Sequence, residues 1–151
     1  MKVCIASDHG GFYLKEELKK HLADKGYQVK DFGAYTFDSK DDYPDFIFPL
    51  ADEIAQKGKA LGIILGRSGS GEAIAANKVK GIRAALCINP RHAQKAREHN
   101  DANVISLGAD FVNPTTAKKI VDSFLASLPS PAIRHTRRIG KIKKYESSHL
   151  K

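Results

Sequence analysis

Five times along this chain a short strand-like run gives way, within a few residues, to a stretch with the spacing or composition of a helix. Val3 to Ser7, Gln28 to Phe32, Leu61 to Leu65, Arg83 to Ile88 and Val104 to Leu107 read as strands. Several of them are continuously apolar, the pattern of strands buried on both faces. The first helix is predicted from about Phe12 to Lys25, with Leu14, Leu18 and Leu22 forming a stripe at i, i+4, i+8, and Gly26 is placed to stop it. Tyr43-Pro44 opens a second helix that runs to about Lys57 and stops at Gly58. Glu72 to Asn77 has helix-forming composition. Pro90 opens a helix to about His99, and Pro114 one from Thr115 to Ser127; proline suits a first turn because its missing N–H would be unpaired there anyway. Strands alternating with helices imply a parallel sheet with helices on both faces. The predicted fold is a three-layer α/β/α, Rossmann-like, five-stranded parallel sheet. Leu128-Pro129-Ser130-Pro131 breaks the pattern, and Ile133 to Ser147 reads as a basic amphipathic helix. Residues 1–128 are read as the domain and 129–151 as its C-terminal tail.

At 151 residues there is room for one domain with a real core. The longest apolar runs are far short of a membrane span, and Asp8 arrives too soon for a signal peptide. Cys4 and Cys87 sit in separate apolar runs with no metal-site spacing. The expectation is a cytoplasmic protein with reduced thiols. Of the net charge of +8, six units lie between Ala132 and Lys151, where seven Lys or Arg face the single acid Glu146. Such a tail invites a nucleic-acid reading. It carries one aromatic, Tyr145, and no recognition motif, so nucleic acid is not expected.

In sheets of this kind, ligands bind beyond the carboxyl ends of the strands. Those ends carry Asp8-His9-Gly10-Gly11, then Gly66-Arg67-Ser68-Gly69-Ser70-Gly71, then Gly108-Ala109-Asp110. The middle segment combines close backbone approach with the N–H groups of a helix start, which suits an anion. Its spacing is neither the dinucleotide fingerprint nor a P-loop. Glu72 stands at the same end, where a nucleotide phosphate would not want a carboxylate but a proton transfer could use one. Asp8 is either a helix cap or a site residue. His99 is either a charge at a helix C-terminus or an acid–base, and Asn100 and Asn103 offer amides to sugar hydroxyls. Arg134 and Arg138 share a helix face and suit a phosphate, or form a solvated basic face.

Taken together, Ser7 to Gly11, Asp42 to Asp45, Gly69 to Lys78, Gly81 to Ala84, His99 to Val104 and Arg134 to Arg138 resemble the ribose-5-phosphate isomerase B family, along essentially the whole chain. That family also includes the sugar-phosphate isomerases of galactose and allose metabolism. The resemblance implies aldose–ketose interconversion of a sugar phosphate through an enediolate, without metal or cofactor. One branch uses a cysteine at the end of the third strand as base; here that position is Gly66. The other branch, which this chain resembles, implies Glu72 as base, and a helix dipole at the loop would favour its ionised form. The backbone of Gly69, Ser70 and Gly71, with Ser68, would stabilise the enediolate. By the same resemblance His99 opens the sugar ring with Asp8, His9 and Asn100 hold the sugar, and Arg134 and Arg138 grip the phosphate. Family members are dimers or tetramers with a shared site, which implies that His99 and Asn100 serve the neighbouring chain's loop.

Two positions depart from the family pattern. Asp110 stands where an arginine usually helps hold phosphate, and Arg67 stands where glycine is common. Either Arg67 replaces the missing charge, or the pair suits a different sugar. Ribose 5-phosphate and ribulose 5-phosphate are the leading substrates. A four- or six-carbon sugar phosphate (erythrulose, allose or galactose phosphate) is the alternative, and a non-catalytic phosphosugar-binding protein a lesser one.

Overall fold

The computed structural model describes residues 1–150. Its sheet consists of β1 (Lys2–Ser7), β2 (Gln28–Asp31), β3 (Leu61–Gly66), β4 (Ala84–Leu86) and β5 (Val104–Gly108). All neighbours are parallel, in the order β2-β1-β3-β5-β4. The helices are α1 (Phe12–Asp24), α2 (Pro44–Lys57), α3 (Ser70–Ala76), α4 (Pro90–Asn100), α5 (Pro114–Ala126) and α6 (Ile133–His149). This is the predicted three-layer architecture, with boundaries shifted by a residue or two.

Alternate residues of each strand face opposite layers. Val3, Ile5, Ile63, Leu65, Ile105 and Leu107 pack with Leu14, Leu18 and Leu22 of α1 and with α4 and α5. Cys4, Ala6, Ile64 and Val104 face the other way, toward Ile47, Leu50 and Ile54 of α2 and Ala75 and Ala76 of α3. Two expected strands are less buried than the rest. β2 and β4 are the sheet's edges, and β2 alternates exposed with half-buried residues. β4 is also shorter than expected, and at its start the Asn103 side chain takes the backbone N–H of Arg83 at 2.8 Å.

From β1 the chain first builds outward to β2, then crosses back to β3 on the other side. The order therefore reverses between β1 and β3, and the carboxyl ends of those two strands splay apart there. Beside that point lies a buried ionic cluster. Lys15 on α1 has no exposed surface; its Nζ donates to Asp31 Oδ1 and Oδ2 at 2.9 Å and to the Ala34 carbonyl at 2.7 Å. Lys19 reaches Asp31 Oδ2 at 2.7 Å. Burial alone would raise the pKa of Asp31, but the hydrogen bonds from Lys19, Lys15 and the Gly33 N–H hold it below the ordinary carboxylate range. Among the described residues no helix is long and apolar enough to cross a membrane.

Removing one member of a buried pair strands the other charge. Asp31→Ala is expected to lower unfolding stability by on the order of 3–5 kcal/mol, measured in urea at fixed protein concentration. Lys15→Met in the same background should recover much of the loss. The Asp31 contribution is present above the unfolded-state carboxylate pKa and is lost as pH falls through the depressed folded value.

Candidate active site

At the end of β1, Asp8 caps a single 3₁₀ turn formed by His9–Gly11: its Oδ1 accepts from the Gly10 N–H at 2.9 Å. The capping role is thus real for one oxygen, which leaves Oδ2 for other work. His9 is held by a residue from the loop after β2. Asp41 Oδ1 accepts from the His9 backbone N–H at 2.9 Å and lies 2.6 Å from His9 Nδ1. The Asp41 hydrogen bond raises the His9 pKa; burial opposes this and the Asp8 charge adds to it.

At the end of β3, the chain turns at Gly66, and the Glu72 side chain folds back over it. A methyl group on Gly66 would overlap the Glu72 carboxylate. Only a residue without Cβ permits the two to coexist, so Gly66 and Glu72 are a matched pair. Glu72 is 4% exposed. Burial pushes its pKa up, its own backbone N–H works against that, and the charge of Asp8 adds to the rise. The dipole argument of the sequence reading points the other way and is corrected here: α3 has only seven residues, and desolvation outweighs it.

The loop between them has a defined shape. Gly69 sits at φ +80°, and the buried Ser106 hydroxyl on β5 donates to its carbonyl at 2.6 Å. The N–H of a trans peptide points opposite to its C=O. Pinning the Gly69 carbonyl toward the sheet therefore aims the Ser70 N–H away from it, where the Ser68 hydroxyl accepts it at 3.2 Å. The Tyr43 ring covers Gly71. The stem of Arg67 lies against Gly10, and its Nη1 is 3.7 Å from Asp110 Oδ1, with both side chains more than half exposed. The two departures from the family pattern therefore face each other across the mouth of the site.

The remaining expected residues lie elsewhere on the same chain. His99 and Asn100 end α4 and lead through three residues into β5. The Asn100 carbonyl accepts from Arg83 Nε at 3.0 Å, which ties it to the start of β4. This is the amino edge of the sheet, whereas Gly66 pairs with Gly108 at the carboxyl end of β5. The five residues of β5 set the two edges roughly 13 Å apart. His99 stacks on His135 of α6, with ring centroids 4.3 Å apart. Burial lowers the His135 pKa, and the neighbouring charges of His99, Arg134, Arg138 and Lys95 lower it further. Arg134 and Arg138 are exposed on the same helix. One chain thus brings Asp8, His9, Arg67, Ser68, Gly69, Ser70, Gly71 and Glu72 together, and gathers His99, Asn100, Arg134 and Arg138 in a second patch. Beside that patch, Ile82, Ala84, Ala85, Ile142, Tyr145 and Leu150 line a largely apolar cavity of about 500 Å³.

Sequence reasoning missed Asp41 and Ser106. Asp41 stands in the acidic run Asp41-Asp42, where spacing does not tell which acid returns to the site. Ser106 looks like an ordinary strand residue. Asp8, His9 and Asp41 are the one group of three metal-capable side chains among the described residues, with donor atoms within 4.8 Å of one another. Within that group, His9 Nδ1 and Asp41 Oδ1 are already bonded to each other.

This geometry stands beside what known proteins show. The family described as Ribose/Galactose Isomerase matches residues 3–142. The chain belongs to that family. It is 45% identical over 149 residues to ribose-5-phosphate isomerase B of Mycolicibacterium paratuberculosis, covering 99% of this chain and 94% of that one. Ribose-5-phosphate isomerase B of Clostridium thermocellum superposes with a TM-score of 0.92 at 44% identity, over 99% of both chains. The Mycoplasma genitalium enzyme, solved with bound ribulose 5-phosphate, superposes with a TM-score of 0.93 at 44% identity, over 97% of this chain and 96% of that one.

The Gly66–Glu72 fit is directly testable. Gly66→Ala is expected to displace the carboxylate and lower sugar-phosphate turnover by roughly 10²-fold, with the far-UV circular dichroism of the fold retained. Unchanged turnover would mean that the position of Glu72 over Gly66 does not matter.

Proposed function

We propose that this protein interconverts ribose 5-phosphate and ribulose 5-phosphate. The buried Glu72 carboxylate, seated over Gly66 beside the glycine loop, carries the reading, and the family relationship and the named activity of its relatives support it. In this scheme His99, with Asp8, moves the proton that opens the furanose ring. Glu72 then removes the C2 proton of the open aldose. The resulting enediolate oxygens are stabilised by the N–H groups of the Gly69–Gly71 loop and by Ser68, which can release the Ser70 N–H it covers. Glu72 returns the proton to C1, while the hydroxyl proton passes between O2 and O1, and the ketose leaves with the carboxylate regenerated. A raised pKa suits this role, because a base must hold the proton briefly and give it back.

His9 and Asn100 hold the sugar, and Arg134 and Arg138 of the 129–151 tail hold the phosphate. Arg67 supplies a further cation where relatives of this pattern carry arginine at position 110. Its exposed pair with Asp110 is a weak one, so the guanidinium is free to turn toward a phosphate. A four- or six-carbon sugar phosphate remains the alternative substrate, favoured by that same Arg67–Asp110 pair.

The two patches lie on opposite edges of one sheet, so a complete site needs a second copy. The arrangement we infer is a cytoplasmic homodimer, or a tetramer built from two such dimers, in which Glu72 of one chain meets His99 of the other. The apolar cavity along α6 and β4, with Ile142 and Tyr145 half or more exposed, offers the tail a dimer contact. Mixing tests both claims. Glu72→Gln and His99→Asn homodimers should each turn over ribose 5-phosphate poorly. Unfolded and refolded together in equal amounts, they should recover about a quarter of wild-type activity, since half the dimers carry one intact site. No recovery would overturn the shared site, and wild-type turnover of only a four- or six-carbon sugar phosphate would overturn the pentose assignment.

A further inference from the structure

The loop from Gly33 to Asp42 is anchored at both of its ends on the short segment Ser7 to His9, at and just beyond the end of β1. At the base, the Ser7 N–H donates to the Gly33 carbonyl at 2.8 Å, and buried Lys15 holds the Ala34 carbonyl. At the other end, one oxygen of Asp41 takes both the backbone N–H and the ring Nδ1 of His9, two residues further along the chain from Ser7. The Asp41 side chain is 10% exposed, and its second oxygen is buried with no partner. Ring and backbone of His9 are therefore fixed together by one carboxylate, and the Phe37 ring from the same loop stands perpendicular to the imidazole at 6.3 Å between centroids.

An imidazole whose Nδ1 donates to a carboxylate has its tautomer and ring plane set, and Nε2 is the nitrogen left for a ligand. The charges facing it are few. Among the described residues, Asp8 Oδ2 lies 4.0 Å from Nδ1, Asp41 grips it, and the cation of Arg67 from the β3–α3 loop opposes them. Two acids against one base favour the protonated ring.

We propose that Asp41 is a positioning residue that holds His9 as an imidazolium with Nε2–H presented to the anionic sugar phosphate. The proposal rests on the isomerase reading for the identity of the ligand, but the pair itself does not. Asp41 acts through His9 and touches no substrate. Its role is to keep a donor in place at pH values where a free histidine would have lost its proton. The raised His9 pKa agrees in direction.

Asp41→Asn keeps the shape and one acceptor oxygen but removes the charge. Two measurements on the full-length protein separate the possibilities. The first follows the His9 ring by NMR as a function of pH, in wild type and variant, without substrate. The His9 midpoint is expected to fall in the variant. The second measures kcat and KM for ribose 5-phosphate from pH 6 to 9. The variant-to-wild-type ratio of KM is expected to rise with pH to roughly tenfold, the size of one lost charge-assisted hydrogen bond, while kcat changes little. Asp41→Glu should restore part of the midpoint if the carboxylate is what matters. An unmoved His9 midpoint would overturn the pairing, and a moved midpoint with a flat KM ratio would overturn its role in holding substrate. A wild type that turns over no sugar phosphate, with the midpoint still shifted, would overturn the isomerase reading and leave the Asp41–His9 pair standing.

Discussion

The Glu72 side chain occupies the space that any side chain at position 66 would fill, and much of the site is arranged around that exchange. β3 ends at Gly66 because the carboxylate must fold back there, and the loop that follows must turn sharply enough to return Glu72 to it. Gly69 makes the turn at positive φ, Ser106 locks its carbonyl from the neighbouring strand, and Tyr43 closes the outside over Gly71. The carboxylate is nearly excluded from water as a result, and its pKa is pushed up by that exclusion. Such a carboxylate beside backbone N–H donors suits the enediolate reaction proposed above.

The parallel sheet imposes the second constraint. Every helix that follows a strand carries the chain from the carboxyl edge back to the amino edge, so residues at the end of α4 are necessarily remote from residues at the start of α3. His99 and Glu72 sit at those two places. The topology that builds a good anion cradle thus prevents one chain from bringing its own His99 to it. In the dimer proposed above, a second copy would supply His99 without changing the fold.

Most of the architecture is legible in the sequence, because it is written in local signals. Pro44, Pro90 and Pro114 open their helices, and the Leu14-Leu18-Leu22 stripe marks the face of α1 that is buried. The placement of Asp8-His9 and the glycine loop at one sheet edge follows from the parallel direction of the strands and is equally readable. What is not legible depends on partners far apart in the chain. Nothing local distinguishes Asp41 from Asp38 or Asp42, yet only Asp41 returns to His9 across 32 residues. Nothing in a buried strand marks Ser106 as the residue that fixes Gly69 across 37. Nor does spacing tell that Arg67 and Asp110 are neighbours. The direction of the Glu72 shift is misread for a related reason: helix position is visible in sequence, whereas the depth of burial that outweighs it is not.

The measurement that bears most directly on Glu72 as the base follows the isotope rather than the rate. Ribose 5-phosphate deuterated at C2 is incubated with wild type and with Glu72→Gln in ordinary water, and the deuterium remaining in substrate and product is counted. If the Glu72 carboxylate carries the proton between C2 and C1, wild type loses part of the label to solvent and transfers part to C1 of the ketose. Glu72→Gln, with its fold intact, should do neither. Label leaving C2 in that variant at a rate near wild type would contradict the account, because another group would then be moving the proton.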